Sequence, residues 1–430
     1  ILHRKAGSLM REKAVTLDTT NSWTFGSPSV LWLYHSGSGS LDREMDEMYE
    51  CMPYYYRLTE GHGQGAEHMM AAEAAFDRGM DADALIAMEK AVDAAKRHWN
   101  GIAKPLYGLG RFEDLLTKVA GIQNTEDIKI DRKAVVVFCA DNGVVAEGVT
   151  QTDSSVTAVV TENFARGIAS VNRMASVAGA DVIPVDIGVM GEIKEPGVRN
   201  CRIANGTSNL RREPAMSREQ ALEALHTGIR LASELKDTGY DLLAVGEMGI
   251  GNTTTSSAVA SVLLQAPVEI VTGRGAGLSN AGLEKKIEVI KEAIALHHPD
   301  PEDPLAVLEA VGGFDIAGMC GLMLGGAIYR IPVVLDGLIS LMAALLARKF
   351  CPLVTDFLLP SHMGKEPACG MAMETLGLEA SIYGNLALGE GTGAVMLFPL
   401  LDMAEAVYRE NSTFENIHVD AYQNFEEEQV

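Results

Sequence analysis

Positive charge is scarce in this chain: 35 Lys and Arg stand against 58 Asp and Glu, a formal net charge of -23. Nucleic-acid binding is dominated by clustered Lys and Arg on phosphates, so this balance argues against a nucleic-acid partner. An anionic small substrate would need local cations or helix N-termini. Cysteine is also sparse. Cys51, Cys139, Cys201, Cys320, Cys351 and Cys369 are widely spaced and form no CxxC pair, which fits a reduced cytoplasm better than a disulfide framework or a zinc site. The ten histidines lack metal spacing, and His297-His298 reads as a favourable cation at a helix C-terminus. No metal site is therefore expected. Long apolar runs are missing too: the most apolar region, 318–347, is interrupted by Arg330 and Asp336. It falls short of the roughly 20 residues a bilayer span needs and reads as core, so no membrane partner is expected. The first residues carry Arg4, Lys5, Arg11 and Lys13 with no apolar run, which argues against a signal peptide. Because the chain opens on Ile1, its natural start is expected to lie upstream.

What is present is a large globular composition. At 430 residues with 47% hydrophobic content, two to three domains and a sizeable core are expected. From about residue 130, short β-rich apolar runs alternate with amphipathic helical ones. The runs 134–140, 181–189, 241–245, 268–272, 331–335 and 353–359 read as strands; 156–177, 217–236, 283–297 and 304–329 read as helices, several opened by Ser, Asp or Asn caps. Strands this continuously apolar must be covered on both faces. The fold class is therefore α/β, a doubly wound parallel sheet with a smaller helical domain and an extra N-terminal helical segment. In such folds ligands collect beyond the carboxyl ends of the strands. Five loops follow candidate strands: Ala140-Asp141-Asn142-Gly143, the stretch from Gly246 to Thr254, Gly273-Arg274-Gly275-Ala276-Gly277, Asp336-Gly337 and Pro360-Ser361-His362.

Two of these features carry chemistry. Gly249-Ile250-Gly251-Asn252-Thr253-Thr254 runs into a helix, so its N–H groups and hydroxyls could cradle a phosphate. It is not a Walker A loop, since no Gly-Lys-Ser/Thr follows, and the Gly273–Gly277 pattern is too weak to claim a dinucleotide. Lys286, early in the next helix, is either a phosphate counter-charge or a solvated helix lysine. Leu388-Gly389-Glu390-Gly391-Thr392-Gly393 places one carboxylate between glycines in an apolar setting. A flat ring could approach it closely, and burial would raise its pKa toward the range useful to a general base.

Over some 300 residues these motifs resemble the nicotinate-nucleotide:dimethylbenzimidazole phosphoribosyltransferase family. The resemblance covers Lys104-Pro105, Leu109-Gly110-Arg111-Phe112-Glu113, Asp141-Asn142-Gly143-Val144 with Glu147-Gly148-Val149, and Pro214-Ala215-Met216-Ser217-Arg218. It continues through Gly246-Glu247-Met248-Gly249, Val311-Gly312-Gly313-Phe314-Asp315, Val334-Leu335-Asp336-Gly337, Pro360-Ser361-His362 and Gly389-Glu390-Gly391. It implies attack of a benzimidazole nitrogen on C1′ of nicotinate mononucleotide, release of nicotinate, and an α-ribazole phosphate of inverted configuration. Under it, Glu390 is the base that takes the benzimidazole proton and Glu247 lies near the ribose. Gly249, Asn252, Thr253, Lys286, Gly337 and Gly364 hold the nucleotide phosphate, and Thr152, Val160 and Leu388 line the base pocket. No cofactor or metal is implied, and a cytoplasmic homodimer is. The chain departs from many relatives at Leu106-Tyr107-Gly108, at Asn142 where they carry His, and at Gly364 where some carry Ser. Thr152 and Val160 stand where some carry Ser and Gln, which leaves the preferred base open.

The expected boundaries are 1–87 outside the family, 88–418 as the transferase domain (helical 88–130, α/β core 131–370, C-terminal helical 371–418), and a solvated acidic tail at 419–430. Segments 27–35 and 51–63 resemble part of the helical repeat region of LuxR/MalT-type regulators, without the modules that bind DNA. A rival reading stays open at this point: a non-catalytic nucleotide-binding sensor or scaffold with a helical interaction module.

Overall fold

A computed structural model describes residues 82–423, with side chains from residue 85 onward. The N-terminal helical segment expected at 1–87, with Cys51 and the regulator-like stretches, lies outside the described residues up to 81, and so does the end of the acidic tail from 424.

The strands are β1 (Lys133–Ala140), β2 (Ala180–Gly188), β3 (Arg199–Asn200), β4 (Leu242–Met248), β5 (Val333–Leu335) and β6 (Leu358–Pro360). They form one sheet in the order β3-β2-β1-β4-β5-β6, with every neighbouring pair parallel. After β3 the chain returns to place β4 beside β1, so the switch point, and the crevice expected there, lies between these two strands. Period-two alternation builds two cores. Ala134, Val136 and Phe138 of β1 enter one, and Val135, Val137 and Cys139 enter the other. The first core takes the helices Arg218–Asp237, Phe314–Tyr329 and Leu338–Phe350, so the most apolar stretch of sequence is buried core. Among the described residues no helix is long and apolar enough to cross a membrane. The second core takes Trp99, Leu116, Phe398 and Tyr408 from the helices Ala82–Gly101, Arg111–Gln123 and Thr392–Glu410. These helices are tied together by His98 Nε2 to Tyr408 O (2.7 Å) and Tyr408 Oη to Glu126 O (3.0 Å). In the first turn of the second, Glu113 accepts from Lys104 Nζ (2.7 Å) and Leu109 N–H (2.8 Å) of the preceding loop, giving that motif a structural role.

Several expected elements differ. The run 268–272 is not a strand but one turn of helix, Val268–Val271, outside the sheet. Its β-branched residues suit a strand, but burying Val268 and Val271 while exposing Glu269 and Ile270 suits one helical turn, and Pro267 at its start has the fixed φ of a helix entry. Most of 353–359 is a 3-10 helix, Pro352–Phe357, leaving Leu358–Pro360 to the sheet. The stretch 156–177 is two helices, Ser155–Ala165 and Ser170–Ala178, interrupted at Gly167, whose φ of +72° leaves the helical region. Likewise 304–329 breaks at Gly312-Gly313 into Pro304–Val311 and Phe314–Tyr329. The Ser217 cap is as expected: Ser217 Oγ accepts from Gln220 N–H (3.3 Å) while Gln220 Oε1 accepts from Ser217 N–H (2.9 Å). His297 closes the helix Asn280–His297 with its Nε2 2.7 Å from Leu210 O.

Candidate active site

The carboxyl ends of β4, β5 and β6 and the turn before the last long helix enclose one cavity, lined among others by Glu247, Asn252, Asp336, Gly337, His362, Gly364 and Glu390. At Gly246 a Cβ would lie 2.5 Å from Glu390 O, so a glycine there lets the Glu390 turn rest on β4. One residue on, Glu247 points toward the cavity and its Oε2 accepts a hydrogen bond from Asn252 Nδ2; the same nitrogen donates to Asp315 Oδ2 at 3.0 Å. Asp315 is buried at the start of the helix Phe314–Tyr329, where Oδ1 also accepts from Ile316 N–H (3.0 Å). At the end of β5, Asp336 Oδ1 accepts from Gly393 N–H (2.8 Å) and Ala394 N–H (3.2 Å) at the positive end of the helix Thr392–Glu410. After β6, Ser361 Oγ donates to Leu335 O (2.5 Å) and lies 3.0 Å from His362 Nδ1.

Glu390 sits in three consecutive left-handed residues, Gly389 at φ +86°, Glu390 at +61° and Gly391 at +84°. Only the glycines take this conformation freely; for Glu390 it costs roughly 1–2 kcal/mol, the kind of local strain found at functional sites. The turn leaves the Glu390 carboxylate half-buried, accepting from Val171 N–H at 3.0 Å at the start of the helix Ser170–Ala178. Burial raises its pKa above the ordinary carboxylate value against the pull of the Val171 N–H, and the nearby Asp336 adds to the rise. Glu247 is pushed up to about 8, first by burial and then by the charge of Asp315. The Asn252 hydrogen bond opposes this, and Asp336 and Glu390 add to it.

Another part of the cavity wall is built from backbone. Leu341 N–H is bonded to Gly337 O (3.1 Å), closing the first turn of the helix Leu338–Phe350. The amides of Leu338, Ile339 and Ser340 ahead of it therefore have no acceptor within the helix, and these three residues line the cavity. Gly249, Thr253, Gly364 and Leu388 also line it, Leu388 exposed at its mouth. Lys286 is not a solvated helix lysine. It is fully buried, with Nζ 3.0 Å from Thr253 Oγ1 and 3.2 Å from Gly273 O, one layer behind the wall. Burial lowers its ammonium to about 8, with Glu366 opposing. Thr152 and Val160 are not on this wall: Thr152 is exposed, its carbonyl accepting from Thr150 Oγ1 (2.7 Å), and Val160 packs against the second core. Gln151, beside Thr152, reaches the glycine-rich loop through Nε2 to Ala276 O (3.2 Å).

A phosphoribosyltransferase family model matches residues 86–419. Over 333 residues the chain is 47% identical to the nicotinate-nucleotide–dimethylbenzimidazole phosphoribosyltransferase of Clostridium acetobutylicum, a match covering 77% of this chain and 95% of that one. It is 45% identical over 332 residues to the protein of the same name from Acetivibrio thermocellus, covering 77% and 95% of the two chains. The chain belongs to the nicotinate-nucleotide–dimethylbenzimidazole phosphoribosyltransferase family. The crystal structure of CobT from Thermus thermophilus superposes with a TM-score of 0.73 at 38% identity, covering 77% of this chain and 99% of that one. Within this family fold, reading the sequence left Asp315, Asp336 and His362 inside quoted motifs with no role. Their position after a strand or at a helix start was the available signal; the contacts that make them part of the site come from elements far apart in the chain.

Proposed function

We propose that this chain transfers the ribose 5-phosphate of nicotinate mononucleotide to dimethylbenzimidazole or a related base, giving α-ribazole 5′-phosphate and nicotinate in cobalamin biosynthesis. A benzimidazole nitrogen forms the new bond to C1′ while the C1′–nitrogen bond to nicotinate breaks. The bonding pair leaves on the pyridinium nitrogen and neutralises it, and the proton of the other benzimidazole nitrogen passes to Glu390. The observation that carries this reading is the Glu390 turn: a half-buried carboxylate on left-handed glycine-flanked backbone, at the edge of a cavity that also presents a helix N-terminus. Family membership supplies the substrates. The phosphate is assigned to the amides of Leu338 to Ser340 and the turn from Gly249 to Thr253, with Lys286 acting from behind Thr253. Much of the rate comes from holding the two reactants in line, and proton removal adds about 10²–10⁴-fold.

The reading extends to a homodimer in the cytoplasm. Cys139, Cys201, Cys320, Cys351 and Cys369 are all free, as suits a reducing compartment. Met396, Met403 and Val177 expose apolar surface on two helices that pack together, a surface suited to a second copy. Incubation with nicotinate mononucleotide and dimethylbenzimidazole should release nicotinate in step with α-ribazole phosphate; no release would leave the non-catalytic nucleotide-binding reading. Light scattering should give twice the chain mass.

A further inference from the structure

Asp315 closes the Val311-Gly312-Gly313-Phe314-Asp315 motif, and the reaction above gives it no task. It is fully buried, yet its Oδ2 reaches Asn252 Nδ2 at 3.0 Å, and that nitrogen also donates to Glu247 Oε2. One amide nitrogen thus joins two carboxyl groups. Two carboxyl groups that share one buried donor repel each other when both are ionised, which favours a proton on one of them. The surroundings decide which one keeps the proton. Asp315 Oδ1 accepts the Ile316 N–H (3.0 Å) in the first turn of a sixteen-residue helix, whose positive end favours the anion. Gly313 and Gly249 press on the same carboxylate, a Cβ at either lying 2.5 Å from Oδ1 or 3.0 Å from Oδ2. Glu247 instead opens on the cavity, beneath Gly389, with Asp336 and Glu390 as its other charged neighbours.

We propose that Asp315 is a positioning residue for the transfer reaction: through the Asn252 amide it fixes Glu247 against the cavity and reserves a proton on it. Glu247 then meets the ribose as a hydrogen-bond donor, and Glu390 alone is the base. No bond is made or broken by Asp315. This inference rests on the transferase reading. Burial and then the Asp315 charge push Glu247 up, whereas the Asn252 and Ile316 hydrogen bonds oppose the rise that burial causes at Asp315, the same order as the geometry gives. Asp315 is faced by Asn252, Glu247 and Asp141; Glu247 is faced by Asn252, Asp315, Asp336 and Glu390. Lys286 also titrates near 8, but from behind Thr253, so its loss is read in KM for the nucleotide and not in kcat.

The test is the pH profile of nicotinate release by the full chain, with an infrared spectrum of the protonated carboxyl as a readout that needs no turnover. In the wild type kcat should fall above pH about 8. Asp315→Asn should lower kcat by about tenfold to a hundredfold and change the nucleotide KM by less than about threefold. Its alkaline fall should move to lower pH, because removing the anion lets Glu247 release its proton sooner, and the carboxyl band at neutral pH should weaken. Asp315→Glu should recover part of the rate. Glu247→Gln, a neutral donor that cannot ionise, should show no alkaline fall in kcat, and this variant decides the matter if Asp315→Asn does not fold. An unmoved alkaline limb in Asp315→Asn, an alkaline limb retained in Glu247→Gln, or a carboxyl band insensitive to both changes overturns the proposal. A wild-type protein that releases no nicotinate while the band responds as expected overturns the transferase reading and leaves the carboxyl pair standing.

Discussion

Glu247, Asp336 and Glu390 bring side-chain carboxylates to an acidic part of the cavity wall from β4, β5 and the last glycine turn; Gly337, Gly364 and the helix start from Leu338 to Ser340 bring backbone to another part of it. The acidic part is the one where a single atom matters, because proton transfer needs an oxygen of the right basicity at the right place. The proposed phosphate site instead draws on several backbone N–H groups that no side-chain substitution removes. Losses at the first part should therefore appear in turnover, and losses at the second in affinity. The strongest test of that contrast is Glu390→Gln, nearly isosteric and unable to take a proton. It should keep the fold and lose about 10²–10⁴-fold in kcat with the nucleotide KM little changed. A near-wild-type rate of nicotinate release across neutral pH breaks the contrast.

The second test sits at the proposed phosphate site, where Lys286 is the buried cation behind Thr253. Lys286→Ala should weaken nicotinate mononucleotide by roughly tenfold, the lower end of a charge-assisted interaction because the ammonium acts through Thr253, while kcat at saturation holds. Because burial lowers its pKa to about 8, the ammonium is charged below that value and neutral above it. Wild-type affinity for the nucleotide should accordingly weaken as pH rises through about 8, and the Lys286→Ala variant should lose that dependence. Calorimetric titration of both proteins reads this; an unchanged pH dependence in the variant would move Lys286 out of the phosphate site.

A smaller effect is expected at Gly364. A Cβ there would lie 2.7 Å from Cys369 Sγ, so Gly364→Ser should overpack this wall and destabilise by about 1–3 kcal/mol even as it adds a hydroxyl facing the proposed phosphate site. Combining it with Cys369→Ala should restore the thermal midpoint and bind the nucleotide more tightly than wild type. If the double variant binds no better than wild type, the hydroxyl does not face the anion.

The acidic and backbone parts of the wall were unequally legible in the sequence. Glu390 announces itself because the flanking glycines that permit φ of +86° and +84° are adjacent in the chain. The sheet was legible for a similar local reason: β1 and β4 are runs of consecutive apolar residues, whereas β3 is two polar residues at an edge and leaves no pattern. Val268–Val271 shows the limit, since a four-residue turn with three β-branched residues has the composition of a strand and its state is set by packing. The Glu247–Asn252–Asp315 group was not legible as a group. Its members stand 63 residues apart from Asn252 to Asp315, and only the helix Phe314–Tyr329 crossing beneath β4 brings them together. Lys286 was legible as a residue but not in its depth, because a helix lysine carries no mark in the sequence of whether it is buried.

The smallest effect on catalysis is expected from shortening the N-terminus, because the cavity lining is drawn from residues after 245. The expected boundary at 87/88 falls inside the helix Ala82–Gly101, whose Leu85 is 1% exposed and packs in the first core. A chain beginning at Asp81 should keep that helix whole, with kcat and nucleotide KM within a few-fold of the full chain and the same thermal midpoint. A chain beginning at Met88 should keep the same turnover per folded molecule but lose the packing of Leu85, a large buried aliphatic side chain whose removal costs about 2–5 kcal/mol. The two shortened chains therefore separate stability from chemistry: their melting curves should differ and their kinetics should not. If the chain from Asp81 is folded by circular dichroism yet loses turnover or nucleotide affinity, the first eighty residues reach the cavity or an active assembly. Whether kcat or KM moves then tells which part of the wall they reach.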